Sequence, residues 1–240
     1  MYKDGKVLGI IPARGGSKRL PRKNIASLAG KPSICWTIDS ARASTFIDKT
    51  VVSTENEEIA EIARRLGCVE VIKRTDALAS DEATINDVVT ELLSVYKKRG
   101  QIFEYIILLQ PTSPLRTSDD IDKAFKLMEV NDARGVVSIC RTEHPVEWMG
   151  NLSPDGFLDS FFLQTKLDRQ SQEFLPSYQI NGAIYIVPVD QFLEEKTFFL
   201  RKGVAAYVMD RASSVDIDDE YDLQLAAWLL NRREESVADD

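Results

Sequence analysis

Two uninterrupted apolar runs constrain the fold more than any other feature of this sequence. Val7 to Pro12 reads VLGIIP, and Tyr105 to Leu109 reads YIILL. Apolar runs without polar alternation are typical of strands that are buried on both faces of a parallel sheet. Each run is followed by a polar turn and then by a segment with helical periodicity. The sequence therefore predicts an α/β fold with a mostly parallel, doubly wound sheet and right-handed crossovers.

The rest of the chain continues this alternation. Further strands are predicted at 50–53, 69–72, 135–140, 183–187 and 204–209, and helices at 32–43, 57–66, 84–98, 118–130 and 220–230. Ser118 is a plausible N-cap for its helix. Between about Thr142 and Ser177 the periodicity is lost, and prolines, glycines and aromatics mix. We expect one domain over 1–240, in which 142–177 is an insertion that carries a hairpin and a dimer contact, followed at the end by a solvated acidic tail.

Composition narrows the classes of function. The chain has 240 residues, 44% of them hydrophobic, and a formal net charge of -8. This charge favours neither nucleic acid nor a membrane surface as a partner, so an anionic ligand needs a local basic cluster. The three cysteines are widely spaced and fit neither a disulfide framework nor a zinc site. Met1 to Lys6 is polar, and no apolar run is long enough to span a membrane, so we expect a cytoplasmic protein.

A basic, glycine-rich segment follows the first apolar run. Ala13 to Asn24 reads ARGGSKRLPRKN and contains five cations. Gly15 and Gly16 allow a tight turn whose amides face an anion. The segment leaves the carboxyl end of a strand, where α/β sheets bind ligands, so these features favour polyphosphate. A solvated basic loop is the alternative. Neither the dinucleotide fingerprint nor the Walker P-loop pattern is present.

Two aspartates form the second candidate site. In the extended segment Asp216-Ile217-Asp218, residues two apart point to the same side, so both carboxylates face one site. Such a pair suits Mg²⁺ (or Mn²⁺), which uses few protein carboxylates and takes its other ligands from water and phosphate. The alternative is that Asp218 only caps the last helix, with Asp219 and Glu220 in its first turn. Spacing alone favours this alternative.

Four motifs occur along the chain in the order IPARGGSKRLPRKN, LLQPTSPLR, NGAIYI and SVDID. Together they resemble the acylneuraminate cytidylyltransferase family, the CMP-sialic acid synthetases, from about Val7 to Trp228. The resemblance implies a Rossmann-like nucleotidyltransferase fold and a homodimer. It also implies transfer of CMP from CTP to a nine-carbon acidic sugar, sialic or legionaminic acid, with release of pyrophosphate. A cytidylyltransferase for another acid sugar such as pseudaminate, and a non-catalytic CTP-binding module, are the alternatives.

The resemblance also implies roles for individual residues. For catalysis it implies Arg14, Lys18, Lys23, Asp216 and Asp218, the two aspartates as metal ligands. For nucleotide binding it implies Arg14, Gly15, Gly16, Ser17, Lys18, Lys23, Asn24, Arg74 and Ala83. For binding of the acceptor it implies Gln110, Arg169, Tyr185, Phe198 and Phe199. From their local sequence alone, Arg74 fits a generic polar loop equally well, and the three aromatic residues are core residues.

Some positions depart from the family pattern or stand outside it. Arg19 lies where the sialic acid enzymes often have glycine, Gln179 where arginine is common, and Ile85 where some members have a small hydroxyl residue. These departures leave the role of Arg19 and the preferred acceptor open. His144 is the only histidine, but it is far in sequence from the motifs and is not predicted to be catalytic.

Overall fold

The computed structural model of the chain describes residues 5–17, 19–67, 69–80 and 82–238. The strands are β1 (Val7–Pro12), β2 (Ser27–Leu28), β3 (Lys31–Pro32), β4 (Lys49–Thr54), β5 (Glu70–Lys73), β6 (Tyr105–Leu108), β7 (Gly135–Arg141), β8 (Tyr178–Pro188) and β9 (Val204–Met209). The α-helices are α1 (Ser33–Ala43), α2 (Glu57–Arg65), α3 (Asp76–Ala79), α4 (Ile85–Lys98), α5 (Ser118–Val130), α6 (Asp159–Gln164), α7 (Val189–Glu195) and α8 (Glu220–Ala238). Short 3-10 helices cover Lys23–Ile25, Val146–Trp148, Ser171–Glu173 and Arg211–Ser213.

Seven strands form one sheet in the order β5-β4-β1-β6-β8-β7-β9. The pairs β5–β4, β4–β1, β1–β6 and β7–β9 are parallel, whereas β8 runs antiparallel to both β6 and β7. The predicted α/β fold with a mostly parallel sheet is therefore confirmed. Because β1 and β6 are parallel neighbours, the turns that follow them leave the same edge of the sheet.

The surroundings of β1 explain why its sequence does not alternate between apolar and polar residues. Ile11 packs on one face of the sheet in a buried cluster with Phe125 of α5. Leu8 packs on the other face in a separate buried cluster with Leu92 of α4. Since both faces are covered by helices, every position of the strand must be apolar.

The start of α5 differs from the prediction that Ser118 is its cap. Thr117 is the N-cap: its hydroxyl accepts a hydrogen bond from the Asp120 N–H at 3.1 Å, and its own N–H donates to the Asp120 carboxylate at 2.9 Å. This reciprocal capping box satisfies two backbone groups at once, which Ser118, one residue further on, cannot do with Asp120. The prediction for Ser118 is therefore wrong by one position.

The segment 142–177 connects β7 to β8 and contains no strand, so the hairpin predicted inside it is wrong. Instead it carries the two 3-10 turns and α6, and the antiparallel pair lies at its ends, where Cys140 is paired with Gln179. The strand β8 begins at Tyr178, ahead of the predicted Ala183, because its first residues pair with the end of β7. The single-domain boundary and the dimer contact stay predictions.

The last helix is also longer than the predicted helix over 220–230. α8 extends to Ala238, through residues that were predicted to be a solvated tail. Among the described residues, no helix is both long enough and apolar enough to cross a membrane.

Of the cysteines, Cys35 and Cys140 are buried with free thiols, and Cys68 lies outside the described residues. The cytoplasmic location stays a prediction.

The cap of α5 can be tested by two alanine substitutions at adjacent positions. Thr117→Ala is expected to lower the free energy of unfolding by about 1 kcal/mol, because it removes the acceptor for the Asp120 N–H. Ser118→Ala is expected to change it by less than about 0.5 kcal/mol. Urea unfolding followed by circular dichroism measures both. A larger loss for the Ser118 variant would contradict the assignment of the cap.

Candidate active site

A cavity of about 490 Å³, which we call the first cavity, opens where the chain leaves β1 and β6. Its wall combines the basic loop after β1, the residue after β5, the start of α4, the turn after β6 and the segment before α8. The residues predicted for the site that line it are Arg14, Ser17, Lys23, Asn24, Arg74, Ala83, Gln110, Asp216 and Asp218. Lys18 lies outside the described residues. The cavity therefore gathers most of the predicted nucleotide-binding residues and both aspartates.

Side chains pin the basic loop to the body of the protein. The Asn24 side chain is buried and donates from Nδ2 to the Arg14 carbonyl at 2.8 Å. Ser33, at the start of α1, donates from Oγ to the Lys23 carbonyl at 2.7 Å. These bonds hold both ends of the loop, so that its cations are presented to the cavity from a fixed backbone.

Gly15 is required by a close approach rather than by an unusual dihedral. A Cβ at this position would lie 2.6 Å from Asn56 Nδ2. The Gly15 amide donates to Glu55 Oε1 at 2.5 Å, so the anion that it meets here is a carboxylate of the chain itself. Gly16 has open space around its Cβ position. The sequence analysis missed Glu55, which no motif singles out.

Arg74 is a buried cation behind the loop. Its Nε donates to Ser53 Oγ at 3.1 Å. Burial lowers the pKa of the Arg74 guanidinium from its ordinary value of 12.5, Glu55 opposes this shift, and Arg14 adds to it by repulsion. The three groups are thus coupled electrostatically, and Glu55 offsets part of the charge of the two cations.

The two aspartates have different surroundings. Asp218 is bound through both of its oxygens: Lys23 Nζ lies 2.9 Å from Oδ1, and Arg19 Nη1 lies 3.0 Å from Oδ2. Asp216 reaches solvent, but the protein around it partly desolvates its carboxyl group, which raises its pKa. A hydrogen bond from the Thr112 side chain opposes this rise, and the charge of Asp218 adds to it.

Asp219, rather than Asp218, caps α8. The Asp222 N–H donates to Asp219 Oδ1 at 3.1 Å, and the Asp219 N–H donates to Asp222 Oδ2 at 3.2 Å. This capping box makes Asp219 the N-cap of α8, so the capping alternative for Asp218 is wrong. Between the two aspartates, Ile217 is fully buried, and its N–H donates to the Thr112 carbonyl at 2.7 Å.

A buried polar network holds the segment that carries the aspartates. Asn181 of β8 donates from Nδ2 to Ser214 Oγ at 2.9 Å and accepts at Oδ1 from Ser138 Oγ at 2.6 Å. Its carbonyl accepts from Ser113 Oγ, in the turn after β6, at 3.4 Å. Asn181 therefore links β7, that turn and the acidic segment. The sequence analysis named the NGAIYI motif but used only its tyrosine, so this link was missed.

Gly182, the next residue, lets the turn after β6 approach the acidic segment. Its φ is +75°, a conformation that side chains rarely adopt. A Cβ here would lie 2.8 Å from Gln110 Oε1 and 3.6 Å from Asp216 Oδ2. The positive φ favours glycine at this position, and a side chain here would displace the amide end of Gln110.

Arg116 supports the same turn from behind. Its guanidinium is buried, and Nη1 donates to the Ala183 carbonyl at 2.8 Å and to the Gln110 carbonyl at 3.4 Å. Burial lowers the pKa of Arg116 to about 9, and the charge of Asp120 opposes this shift. The side chain ties the end of β6 to β8 and so fixes the backbone at Gln110.

The residues predicted for the acceptor lie in several places. Tyr185 and Phe198 are buried with ring centroids 6.0 Å apart, while Phe199 is half exposed and meets the Tyr185 ring edge-on at 5.6 Å. Burial raises the pKa of Tyr185 to about 12, and the nearby Asp216 charge adds to the rise. Arg169 is exposed on the insertion and lines neither the first cavity nor the second one described next.

A second cavity, of about 870 Å³, lies on the other side of Asp216, which lines both. Its wall is formed by the end of β7, the start of the insertion, the start of β8, residues 211–216 and α8. His144 and Gln179 both line it, and Arg211 and Glu143 form an ion pair across 3.1 Å there. Of the three positions that depart from the family pattern, Gln179 therefore faces this cavity, whereas Arg19 and Ile85 line the first one.

Comparison with known proteins adds independent findings. The sequence model of the family described as "Cytidylyltransferase" matches residues 8–219. An N-acylneuraminate cytidylyltransferase of Escherichia coli O18:K1:H7 is 36% identical over 98% of this chain, which spans only 54% of that protein. The CMP-N,N'-diacetyllegionaminic acid synthase of Legionella pneumophila is 34% identical, and the match covers 97% of this chain and 99% of that protein. A pseudaminic acid cytidylyltransferase of Campylobacter jejuni is 32% identical over the same shares.

Among solved structures, a CMP:2-keto-3-deoxy-manno-octonic acid synthetase complexed with CTP superimposes with a TM-score of 0.70. The sequence identity is 17%, and the match covers 95% of this chain and 99% of that chain. At this identity the likeness concerns the fold, which is that of a nucleotidyltransferase.

The requirement for glycine at position 182 can be tested against a matched position. Gly156 also has positive φ, +81°, but its Cβ position is open. Gly156→Ala is expected to lower the free energy of unfolding by about 1 kcal/mol, the cost of the left-handed backbone alone. Gly182→Ala is expected to lower it by at least about 2 kcal/mol, because the new methyl group also meets Gln110. Equal losses in urea unfolding would show that the contact with Gln110 does not matter.

Proposed function

Because the chain belongs to the cytidylyltransferase family, we propose that it activates an N-acylneuraminate-type nine-carbon acid sugar, sialic or legionaminic acid. The reaction would use CTP and give the CMP-sugar and pyrophosphate. One observation carries this proposal: the basic loop, Arg74 and the pair Asp216 and Asp218 line a single cavity. Such a cavity offers cations for a triphosphate and carboxylates for a divalent ion at the same place.

The dimensions and polarity of the first cavity support CTP as its ligand. Its volume of about 490 Å³ lies in the usual range for small-ligand sites. The triphosphate would meet Arg14, Lys18 and Lys23, together with the loop residues Gly15, Gly16 and Ser17. The ribose and base would meet Asn24, Arg74 and Ala83. Arg74 is suited to this role because its buried guanidinium lies at the cavity wall and is held in place by the bond from Nε to Ser53 Oγ.

Asp216 and Asp218 would hold Mg²⁺ or Mn²⁺. Carboxylate oxygens are the ligands that these ions prefer, and both side chains line one cavity. Among the described residues, no group of three or more His, Cys, Asp or Glu could hold a metal. A pair of aspartates fits an ion that takes its other ligands from water and phosphate. When bound, the ion would offset phosphate charge and lower the pKa of the attacking hydroxyl.

The chemistry proposed is an in-line displacement. The anomeric hydroxyl oxygen of the sugar would bond to the α-phosphorus of CTP, the bond from that phosphorus to the β-phosphate oxygen would break, and the hydroxyl proton would pass to water. Arg14, Lys18 and Lys23 would offset the charge that develops on pyrophosphate. No covalent nucleophile is needed, and the rate would depend mainly on positioning and charge.

The acceptor would bind beside Asp216. Gln110 lines the first cavity next to Gly182, and Tyr185 is close enough to Asp216 for that charge to raise its pKa. Phe199 is half exposed beside the Tyr185 ring and offers an apolar surface to an acyl group, while Phe198 supports that ring from the core. Pseudaminate is the second candidate acceptor, since the pseudaminic acid enzyme of C. jejuni is similar over the full chain.

We also propose a homodimer that forms through the insertion. Of the eighteen exposed large hydrophobic residues in the described chain, nine lie in the insertion, between Val146 and Leu175, and two more lie on the first residues of β8. An apolar surface of this size on one segment is typical of a protein contact. In such a dimer, the exposed Arg169 would reach the acceptor in the site of the partner protomer, which its position in one chain does not allow directly.

The reaction is tested by measuring pyrophosphate release. With Mg²⁺ present, each of the four nucleoside triphosphates is combined with sialic, legionaminic, pseudaminic and Kdo acids. Release is expected with CTP and one nine-carbon acid only. If no acid supports release while CTP still raises the melting temperature, a CTP-binding module is favoured. If CTP has no effect on either, the proposed function is wrong.

Adjacent aspartates supply the control for this assay. Asp218→Ala is expected to lower turnover by at least roughly a hundredfold, because it removes a carboxylate from the cavity, with little change in the melting temperature. Asp219→Ala removes the cap of α8 and is expected to cost about 1 kcal/mol of unfolding free energy while turnover is kept. If Asp218→Ala instead keeps its turnover and loses stability, Asp218 is not part of the proposed site.

The dimer is tested by placing a charge on its proposed surface. Leu163 is 89% exposed on the insertion, and Ile102 is 71% exposed outside it. Sedimentation of the unmodified protein is expected to give twice the mass of one chain. Leu163→Asp is expected to shift the equilibrium towards monomer, because a desolvated carboxylate at the contact is unfavourable, whereas Ile102→Asp keeps the dimer. A monomeric unmodified protein at micromolar concentration would exclude this assembly.

A further inference from the structure

Arg19 is a cation of the basic loop that lies outside the set of residues proposed to bind the nucleotide. Its Nη1 lies 3.0 Å from Asp218 Oδ2, while Lys23 Nζ lies 2.9 Å from Oδ1. Both oxygens of Asp218 are therefore bound by cations of the loop. Arg19 also lines the first cavity, so its guanidinium faces the space proposed for the triphosphate.

The ion pair between Arg19 and Asp218 is easy to exchange. The Arg19 side chain is 74% exposed and that of Asp218 is 38% exposed. Ion pairs in such exposed positions contribute little to stability, because water and salt screen them. A triphosphate carries more negative charge than one carboxylate, and guanidinium matches the geometry of phosphate oxygens in a bidentate way. Phosphate would therefore compete successfully for Arg19.

We propose that Arg19 is a nucleotide-binding residue that changes partner when CTP arrives. It pairs with Asp218 while the first cavity is empty and moves to the phosphates when the nucleotide binds. This exchange frees one oxygen of Asp218 as the nucleotide enters. The proposal rests on the proposed function, because it needs CTP in the first cavity and a divalent ion at Asp218.

The exchange has a consequence for the order of binding. Without nucleotide, a divalent ion has to displace Arg19 from Asp218, so the ion binds the empty protein weakly. With nucleotide, Arg19 has a new partner, and the ion meets a carboxylate with one oxygen freed. Binding of the ion and of CTP is then cooperative, and by linkage each raises the affinity for the other.

Arg22 offers a matched control on the same loop. Its side chain is 66% exposed and pairs with Glu58, and it is not among the residues that line the first cavity. Arg19→Gln and Arg22→Gln therefore remove the same charge from neighbouring positions. Only the first removes a group that faces the cavity and contacts Asp218. Arg19→Lys keeps the charge without the bidentate geometry.

The first readout is CTP affinity without metal, measured by calorimetry in the presence of EDTA. Arg19→Gln is expected to weaken CTP binding roughly tenfold, the effect of one charge-assisted phosphate contact. Arg19→Lys is expected to restore part of this loss, and Arg22→Gln to change the affinity by less than about twofold. If Arg19→Gln binds CTP as tightly as the unmodified protein, the proposal is wrong. If the unmodified protein does not bind CTP, the proposed function fails as well.

The second readout is the binding of Mn²⁺ to the protein without nucleotide. It is measured from the electron paramagnetic resonance signal of the Mn²⁺ that stays free in solution. Arg19→Gln is expected to bind Mn²⁺ several-fold more tightly than the unmodified protein, because one competing cation has been removed from Asp218. Arg22→Gln is expected to leave Mn²⁺ binding unchanged. Equal Mn²⁺ affinity in all three proteins would show that Arg19 does not compete for Asp218, and this result would overturn the exchange even if CTP affinity fell.

Discussion

The burial of Ile217 is the constraint on which the candidate site depends. The segment before α8 is neither strand nor helix, so no ladder of hydrogen bonds sets the direction of its side chains. Instead, Ile217 is fully buried in a cluster with Leu28 and Leu115, and its N–H is bonded to the Thr112 carbonyl. With the middle residue fixed inwards, the flanking aspartates are directed to the cavity. The hydrophobic effect therefore orients two charged groups that cannot orient themselves.

The charge balance of the cavity follows from this orientation. Cations brought in by the basic loop and by Arg74 face carboxylates of the chain itself, Glu55 at the Gly15 amide and Asp218 at Lys23. Like charges held close together without counter-charges would destabilise the folded state. The carboxylates supply those counter-charges and hold the cations close to the cavity. Under the proposed function, a polyphosphate would meet cations that are already gathered at one cavity, and the exchange of Arg19 from Asp218 to phosphate would be the rearrangement required.

The sequence predicted the structure correctly where the local pattern of residues reflects their burial. It did not predict positions that depend on contacts between distant segments of the chain. The apolar runs predicted β1 and β6 because both faces of these strands are covered, and the motifs led to the residues that line the first cavity. Asn181 could not be found in the same way, since its partners come from three different parts of the chain. Glu55 follows β4 with no local signal, and its role is visible only from the Gly15 amide. The sequence left open whether Asp218 only caps α8, because several acidic residues adjoin each other there, and only the geometry separates Asp218 from the cap Asp219.

The lack of a helical or strand period in the sequence of the insertion has a physical reason. A period of 3.6 or 2 arises when one face of an element packs on the core of the same chain. Most side chains between Val146 and Ile180 are exposed, with leucines and phenylalanines among them, so this segment has no such core to pack against. Under the proposed dimer, its apolar residues would instead pack against the same insertion of a second copy, since a two-fold contact uses the same patch on both protomers. The order of apolar residues along the segment would then follow the shape of that contact rather than a helical or strand period.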